Sequence, residues 1–251
     1  MRTLAADTLI LGARSVLRSQ RNPATMISAF ILPLLFFALF FVVMRRVMAA
    51  QGFDYVQLLP PTIVAQAMLF AGMSSAYYVA ADRLSGITAR LRSMPLHRAA
   101  PILGRSVGDL IRSLISLVPI TVVGVIVGMR FDNTVGVVGF ALVALAFGLV
   151  ASLGMGLIGY VASSPDAAVS IASMPYLPLL MLSTGFVPVE NFPGWLQPFV
   201  EWQPVTAVID ALRAFTGEGD IGSTLPVAAA WMGGLALLFA ALGARAFKRT
   251  S

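Results

Sequence analysis

The sequence has no cysteine, one lysine and one histidine, and only 11% of its residues are charged. Each shortage closes a class of function. Without cysteine there is no disulfide and no thiolate metal site, although the compartment stays open. The lone lysine, Lys248, follows Phe247, so the chain cannot build the Gly-x-x-x-x-Gly-Lys-Ser/Thr loop that cradles nucleotide phosphates. ATP hydrolysis by this chain alone is not expected. The lone histidine, His97, sits in a basic stretch and reads as a solvated loop residue. No His-Glu-x-x-His or other metal-ligand spacing accompanies it. The acidic residues are scattered singly rather than clustered at one membrane face, which argues against an enzyme. Charge this sparse cannot cover a soluble globule, whose surface calls for about 25% charged residues.

What is present is apolar. Hydrophobic residues make up 58% of the 251, and the mean hydropathy is +0.88. Six runs have membrane-spanning character: 27–44, 61–81, 106–128, 135–162, 169–187 and 224–245. A helix of about 20 residues crosses a hydrocarbon core of about 30 Å, so lipid is the natural solvent. The fourth run is overlong and should tilt or protrude. The segment before the first run is longer and more patterned than the n-region of a cleaved signal, so that run reads as a retained span. No large polar segment interrupts the series, and residues 1–251 read as a single transmembrane domain.

Six spans put both termini on one side. Thirteen of the seventeen basic residues fall on that side, and seven of the eleven acidic residues fall on the other. Positive charge marks the cytoplasmic face, so both ends are expected there. The net charge of +6 is thus a topology signal, and no nucleic-acid partner is implied. No Asp or Glu lies near a predicted midplane, which argues against an ion-coupled carrier. Asp109, at the cytoplasmic end of the third span, has Arg112 three residues on as its partner.

Two cytoplasmic segments carry helical amphipathicity. In residues 1–26, Leu9, Ile10, Ala13, Val16 and Leu17 share an arc of about 120°, with Arg14, Arg18 and Arg21 on the opposite flank. This is expected to be an interfacial helix whose arginines face anionic lipid. In 82–105, Leu84, Ile87, Leu91 and Met94 share an arc of about 80°, bordered by Arg83 and Arg90, with Arg92 facing away. Pro95 then stops the helix. Periodicity fits either a short amphipathic helix able to dock a soluble partner or a solvated basic loop.

On the outer side, residues 188–223 are rich in aromatic residues and proline. Pro188, Pro193, Pro198 and Pro204 divide the stretch, and Trp195 and Trp202 suit a membrane interface. A short helix is expected from Pro204 to Phe215, with Asp210 and Arg213 able to pair. One or two interfacial or re-entrant helices follow from this pattern. In the fourth span, Gly148, Ser152 and Gly156 at four-residue spacing mark close helix packing, within a chain or between chains. Pro175 and Pro178 should bend the fifth span.

The whole layout resembles the membrane subunits of type-2 ABC exporters, in the branch of daunorubicin-resistance and lipid-export permeases. "RNP" at Arg21–Pro23 looks like the family's entry motif. "DRLSGITARLRSMPLHRAAPILGR" (82–105) looks like its arginine-rich block, although Leu84 stands where a second acidic residue is common. "STGFVPVENFPGWLQPFVEWQPVTAVIDALR" (183–213) looks like its outer segment. The resemblance implies an all-α integral membrane fold of six transmembrane helices. It implies an inner-membrane exporter subunit in a bacterium, without catalytic residues. Its partners would be a separate ATP-binding subunit carrying ATP and Mg, and a second permease copy or paralogue. Its cargo would be hydrophobic or amphipathic and in contact with membrane lipids. A coupling helix between spans two and three would use Asp82, Arg83, Leu84, Gly86, Ile87, Arg90, Leu91, Arg92 and Pro95. The outer gate would use Phe186, Pro193, Trp195, Trp202, Pro204 and Arg213. Polysaccharide export, a proton-coupled carrier and a membrane scaffold are the alternatives.

Overall fold

A computed structural model describes residues 8, 10–15, 23–50, 52, 54–87, 90 and 100–249. All the regular structure among them is helical. We number the helices α1 (Pro23–Ala50), α2 (Tyr55–Leu84), α3 (Ala100–Val127), α4 (Thr134–Gly159), α5 (Pro165–Ser173), α6 (Tyr176–Met181), α7 (Gln197–Trp202), α8 (Pro204–Ala214) and α9 (Ile221–Arg249). Residues 10–15 form a further helical segment.

Five of these helices, α1, α2, α3, α4 and α9, are long and apolar enough to cross a membrane. They contain the first, second, third, fourth and sixth runs expected from hydropathy. The run at 169–187 behaves differently, because it falls on α5, α6 and the turn that follows. Pro175 and Pro178 carry no N–H, so two helix bonds three residues apart cannot form there. Met174 instead bonds back to Ile171, and the helix restarts at Tyr176.

Local chemistry sets the helix ends. Asp54 accepts from the Val56 N–H at the start of α2, and Asn133 accepts from the Gly136 N–H at the start of α4. Ser164 accepts from the Ala167 N–H, with Pro165 in the first turn of α5. Asp220 accepts from the Gly222 and Ser223 N–H groups ahead of α9. That pair of bonds holds its carboxyl below the ordinary carboxylate value of 3.8.

The core is built around α2, which is buried along most of its length, whereas α9 has few fully buried residues and packs at the edge of the bundle. Contact between α2 and α4 is backbone-close. A Cβ at Gly159 would lie 2.6 Å from the Ala76 carbonyl oxygen. The Gly148/Ser152/Gly156 face is used here, within the chain: Gly148 meets Met68 and Ser113, and Gly156 meets Ser75 and Val79. Small residues at this spacing allow the approach that lipid itself does not drive. By contrast, Leu35, Leu39 and Val42 on α1, and Leu237 on α9, face outward, as lipid-facing residues do.

Candidate functional sites at the two ends of the bundle

The end of the bundle expected from the charge pattern to face the cytoplasm, here called inner, begins with a change of boundary. A helix over 82–94 was expected, but Asp82, Arg83 and Leu84 form the last turn of α2. Ser85 bonds back to Ala81, and Gly86 turns the chain with φ of +73°. This is a left-handed helix stop, which glycine adopts without a Cβ penalty. Helix resumes at Ile87, and the Arg90 N–H donates to the Gly86 carbonyl. Arg18, Arg21, Leu91, Arg92 and Pro95 lie outside the residues described.

Around this break the side chains divide. Leu84 and Arg90 are exposed, and Ile87 is partly so. Arg83 turns back into the bundle and donates to the Ala162 carbonyl just past α4. Arg105 on α3 approaches the same region, 5.8 Å from the Tyr160 ring centroid. Arg14, on the N-terminal segment, stands 3.5 Å from Asp82. Deeper in, Asp109 and Arg112 form an ion pair on one face of α3, both buried. Ser75 donates to Asp109 at 3.4 Å, and the Arg112 guanidinium lies 4.8 Å from the Tyr78 ring.

The opposite end, here called outer, is organised by Arg213 on α8. Its guanidinium donates to the Gly185 carbonyl at 2.8 Å, and to the Leu58 carbonyl and the Thr62 hydroxyl at 3.3 Å. Its Nη1 lies 3.7 Å from Asp210 Oδ1. Thr62 also donates to the Gly185 carbonyl. One side chain therefore joins α8, α2 and the turn after α6. Pro60 and Pro61 remove two helix donors from the turn of α2 where Arg213 docks. Asp210 accepts from Thr184 Oγ1 at 2.9 Å. Burial pushes its carboxyl above the ordinary value, against the pull of Arg213 and the Thr184 hydroxyl. Burial draws the Arg213 guanidinium down, opposed by the charge on Asp210.

The remaining outer residues take different positions. Phe186 is buried and stacks on Phe40 of α1, with centroids 4.2 Å apart. Pro204 opens α8, and Gln203 before it donates to the Leu182 carbonyl. Trp195 and Trp202 are 80% and 75% exposed, while Val200 between them is buried. The short α7 thus turns Val200 inward and shows Trp202 outward, with Trp195 exposed just before it. Pro193 is exposed. Among the described residues, no three His, Cys, Asp or Glu side chains converge to hold a metal ion.

Several of these partners were not read from the sequence. Nothing in the spacing joins Arg83 to Ala162, or Arg213 to Leu58 and Gly185, because each link spans a long stretch of chain. Gly104 and Gly108 are another matter. Their four-residue spacing in the third span was visible, and it is where residues 10–15 pack.

Comparison with known proteins agrees with this architecture. The daunorubicin resistance ABC transporter permease protein DrrB1 of Streptomyces coeruleorubidus is 29% identical, over 98% of this chain and 87% of its own length. The probable doxorubicin resistance ABC transporter permease protein DrrC of Mycobacterium tuberculosis is 29% identical, over 100% of this chain and 91% of its own. The doxorubicin resistance permease protein DrrB of the same organism is 34% identical, over 64% of this chain and 56% of its own. The sequence pattern of the ABC-2 type transporters matches residues 6–215, from the N-terminal segment through the arginine-bearing helix α8. A multi-pass helical membrane protein with that match along most of its length belongs to the ABC-2 type transporter family.

Proposed function

We propose that this chain is the membrane-spanning subunit of an ATP-driven exporter. It moves a hydrophobic or amphipathic small molecule, such as a drug, natural product or lipid, outward across a bacterial cytoplasmic membrane. The observation that carries this reading is similarity along the whole chain to drug-resistance permeases. It combines with a sequence that cannot form a phosphate-binding loop. The energy is therefore supplied by a separate ATP-binding subunit, which holds the ATP and Mg. Two permease copies, or this chain and a paralogue, complete the transporter.

In this reading the membrane is crossed six times. Five crossings are the long helices, and the fifth in order is the broken α5–α6 segment. Backbone groups freed by Pro175 and Pro178 are tolerable there only against protein or a hydrated path. Both termini are cytoplasmic. The stretch around Gly86, Ile87 and Arg90, with Leu91, Arg92 and Pro95 beyond it, docks on the ATP-binding subunit. Exposed Leu84 and Arg90 support that role. Arg83 acts on the permease side, as a strut to Ala162. Asp109, the one fully buried carboxylate among the described residues, is neutralised by Arg112. That favours a structural charge pair over a proton carrier. At the outer end, Trp195 and Trp202 anchor α7 in the lipid interface, while α8, held by Arg213, borders the exit.

The test is co-expression with a candidate ATP-binding subunit, followed by purification through the permease. The two should co-purify, and inverted vesicles should accumulate doxorubicin in an ATP-dependent, vanadate-sensitive manner. Doxorubicin movement driven by a proton gradient without ATP would overturn the reading.

A further inference from the structure

Residues 10–15 lie across the start of α3, and the contact is made of glycine. A Cβ at Gly104 would stand 2.5 Å from Leu11 Cβ and 3.2 Å from the Gly12 nitrogen. One at Gly108 would stand 2.7 Å from Ser15 Cβ, and one at Gly12 would be 3.0 Å from Val107 Cγ1. Three glycines on the two segments thus let the side chains of Leu11, Ser15 and Val107 seat directly against the facing backbone. Any larger residue at Gly104 or Gly108 must displace the segment.

The same short segment touches a second element. Arg14 reaches Asp82 at 3.5 Å, and this pair is partly exposed, at 41% and 21%. Asp82 belongs to the last turn of α2, and Gly104 to the first turns of α3. Everything between them is the basic stretch carrying Gly86, Ile87 and Arg90. The N-terminal segment therefore holds both ends of that stretch, by unlike means. Its hold on α3 is tight packing on glycines, whereas its hold on α2 is a partly exposed ion pair of the weak kind.

We propose that residues 10–15 are a positioning clasp for the stretch between α2 and α3. They are seated permanently on α3 through Gly12, Gly104 and Gly108, and latched to α2 by Arg14 and Asp82. The clasp fixes how far apart the two ends of the stretch stand when it is pushed from below. It rests on the reading of that stretch as the docking element for the ATP-binding subunit.

The absence of cysteine makes the seat directly testable in the full complex. Cysteines replacing Gly12 and Val107 would bring their Cβ atoms to 3.1 Å, close to the separation of about 3.8 Å that a disulfide prefers. Oxidation of membranes should form this bond. The oxidised complex should still accumulate doxorubicin in inverted vesicles with ATP. A pair that does not cross-link overturns the seat. A bond that stops transport until it is reduced overturns its permanence. For the latch, Arg14→Asp and Asp82→Arg should each cause a several-fold loss of doxorubicin-stimulated ATPase activity, and the double exchange should recover most of it. Two losses without mutual rescue overturn the latch. If no ATP-binding subunit co-purifies with the unaltered chain, the coupling role falls while the disulfide still forms, so the two failures are distinguishable.

Discussion

The bundle holds two acid–arginine pairs at the same three-residue spacing, and they do opposite jobs. Asp109 and Arg112, near the inner end, are both buried and form an ion pair. Ser75 and the Tyr78 ring on α2 also lie against them. Asp210 and Arg213, at the outer end, are unequal: the guanidinium is buried and the carboxylate is partly exposed. Arg213 spends its donors on the backbone carbonyls of Leu58 and Gly185 and on the Thr62 hydroxyl. The inner pair sets one buried charge against another on one helix. The outer arginine ties the backbone of α2 to the turn after α6, sharing the Leu58 and Gly185 carbonyls with the Thr62 hydroxyl. An ion pair can thus neutralise itself, or one member can work for the chain around it.

This contrast predicts different responses to the same surgery. The largest losses should come from single truncations. Arg112→Ala should cost about 3–5 kcal/mol, since it leaves Asp109 buried and uncompensated; Arg213→Ala should also be strongly destabilising, since it removes a donor from the buried Gly185 carbonyl and Thr62 hydroxyl. Thermal unfolding of the purified protein in detergent should show both as large drops in Tm. Double replacement then separates the two pairs. Asp109→Leu with Arg112→Met should recover most of the stability, because replacing a buried pair by apolar residues is often neutral or better. Asp210→Leu with Arg213→Met should recover little, because the Leu58 and Gly185 carbonyls are then left to share the single Thr62 hydroxyl. Equal recovery in both would erase the distinction.

A smaller effect is expected at Gly86. Its φ of +73° makes a β-branched replacement such as Gly86→Val cost roughly 1–2 kcal/mol. Nothing lies within 4 Å of the added Cβ, so the protein should fold. The helix stop should shift, and doxorubicin should no longer stimulate ATPase activity in the complex. Normal stimulation would show that the turn does not guide coupling. The smallest effect belongs to Asp220, at the exposed start of α9. Its carboxyl titrates below the ordinary 3.8, so its contribution is present above that pH and fades as the pH falls through the lowered value. Asp220→Asn should lower Tm slightly at neutral pH and make no difference in strong acid.

Much of this architecture was legible in the sequence. Five of the long helices follow from apolar length alone, because lipid demands about 20 apolar residues in a row. The pairing of Asp109 with Arg112, and of Asp210 with Arg213, follows from helical spacing. Three features escaped for identifiable reasons. Pro175 and Pro178 were read as a bend, yet two missing donors three residues apart divide the helix. Gly86 was absorbed into an amphipathic pattern, although a glycine after a polar helix end is a stop signal. The target of Arg83, the Ala162 carbonyl, is a backbone atom on a distant helix end, and no side-chain pattern encodes it. The stripe at Gly148, Ser152 and Gly156 was correctly read as packing, but only the fold shows that its partners are α2 and α3 of the same chain.

The sidedness of the basic stretch underlies every functional assignment made for it. Because the chain has no cysteine, one cysteine at a time can report it. Arg90→Cys should react with a membrane-impermeant maleimide only in inverted vesicles, and Trp195→Cys only in intact cells. Labelling of Arg90→Cys from outside intact cells would place the stretch beyond reach of any cytoplasmic ATP-binding subunit and would contradict the proposed mechanism.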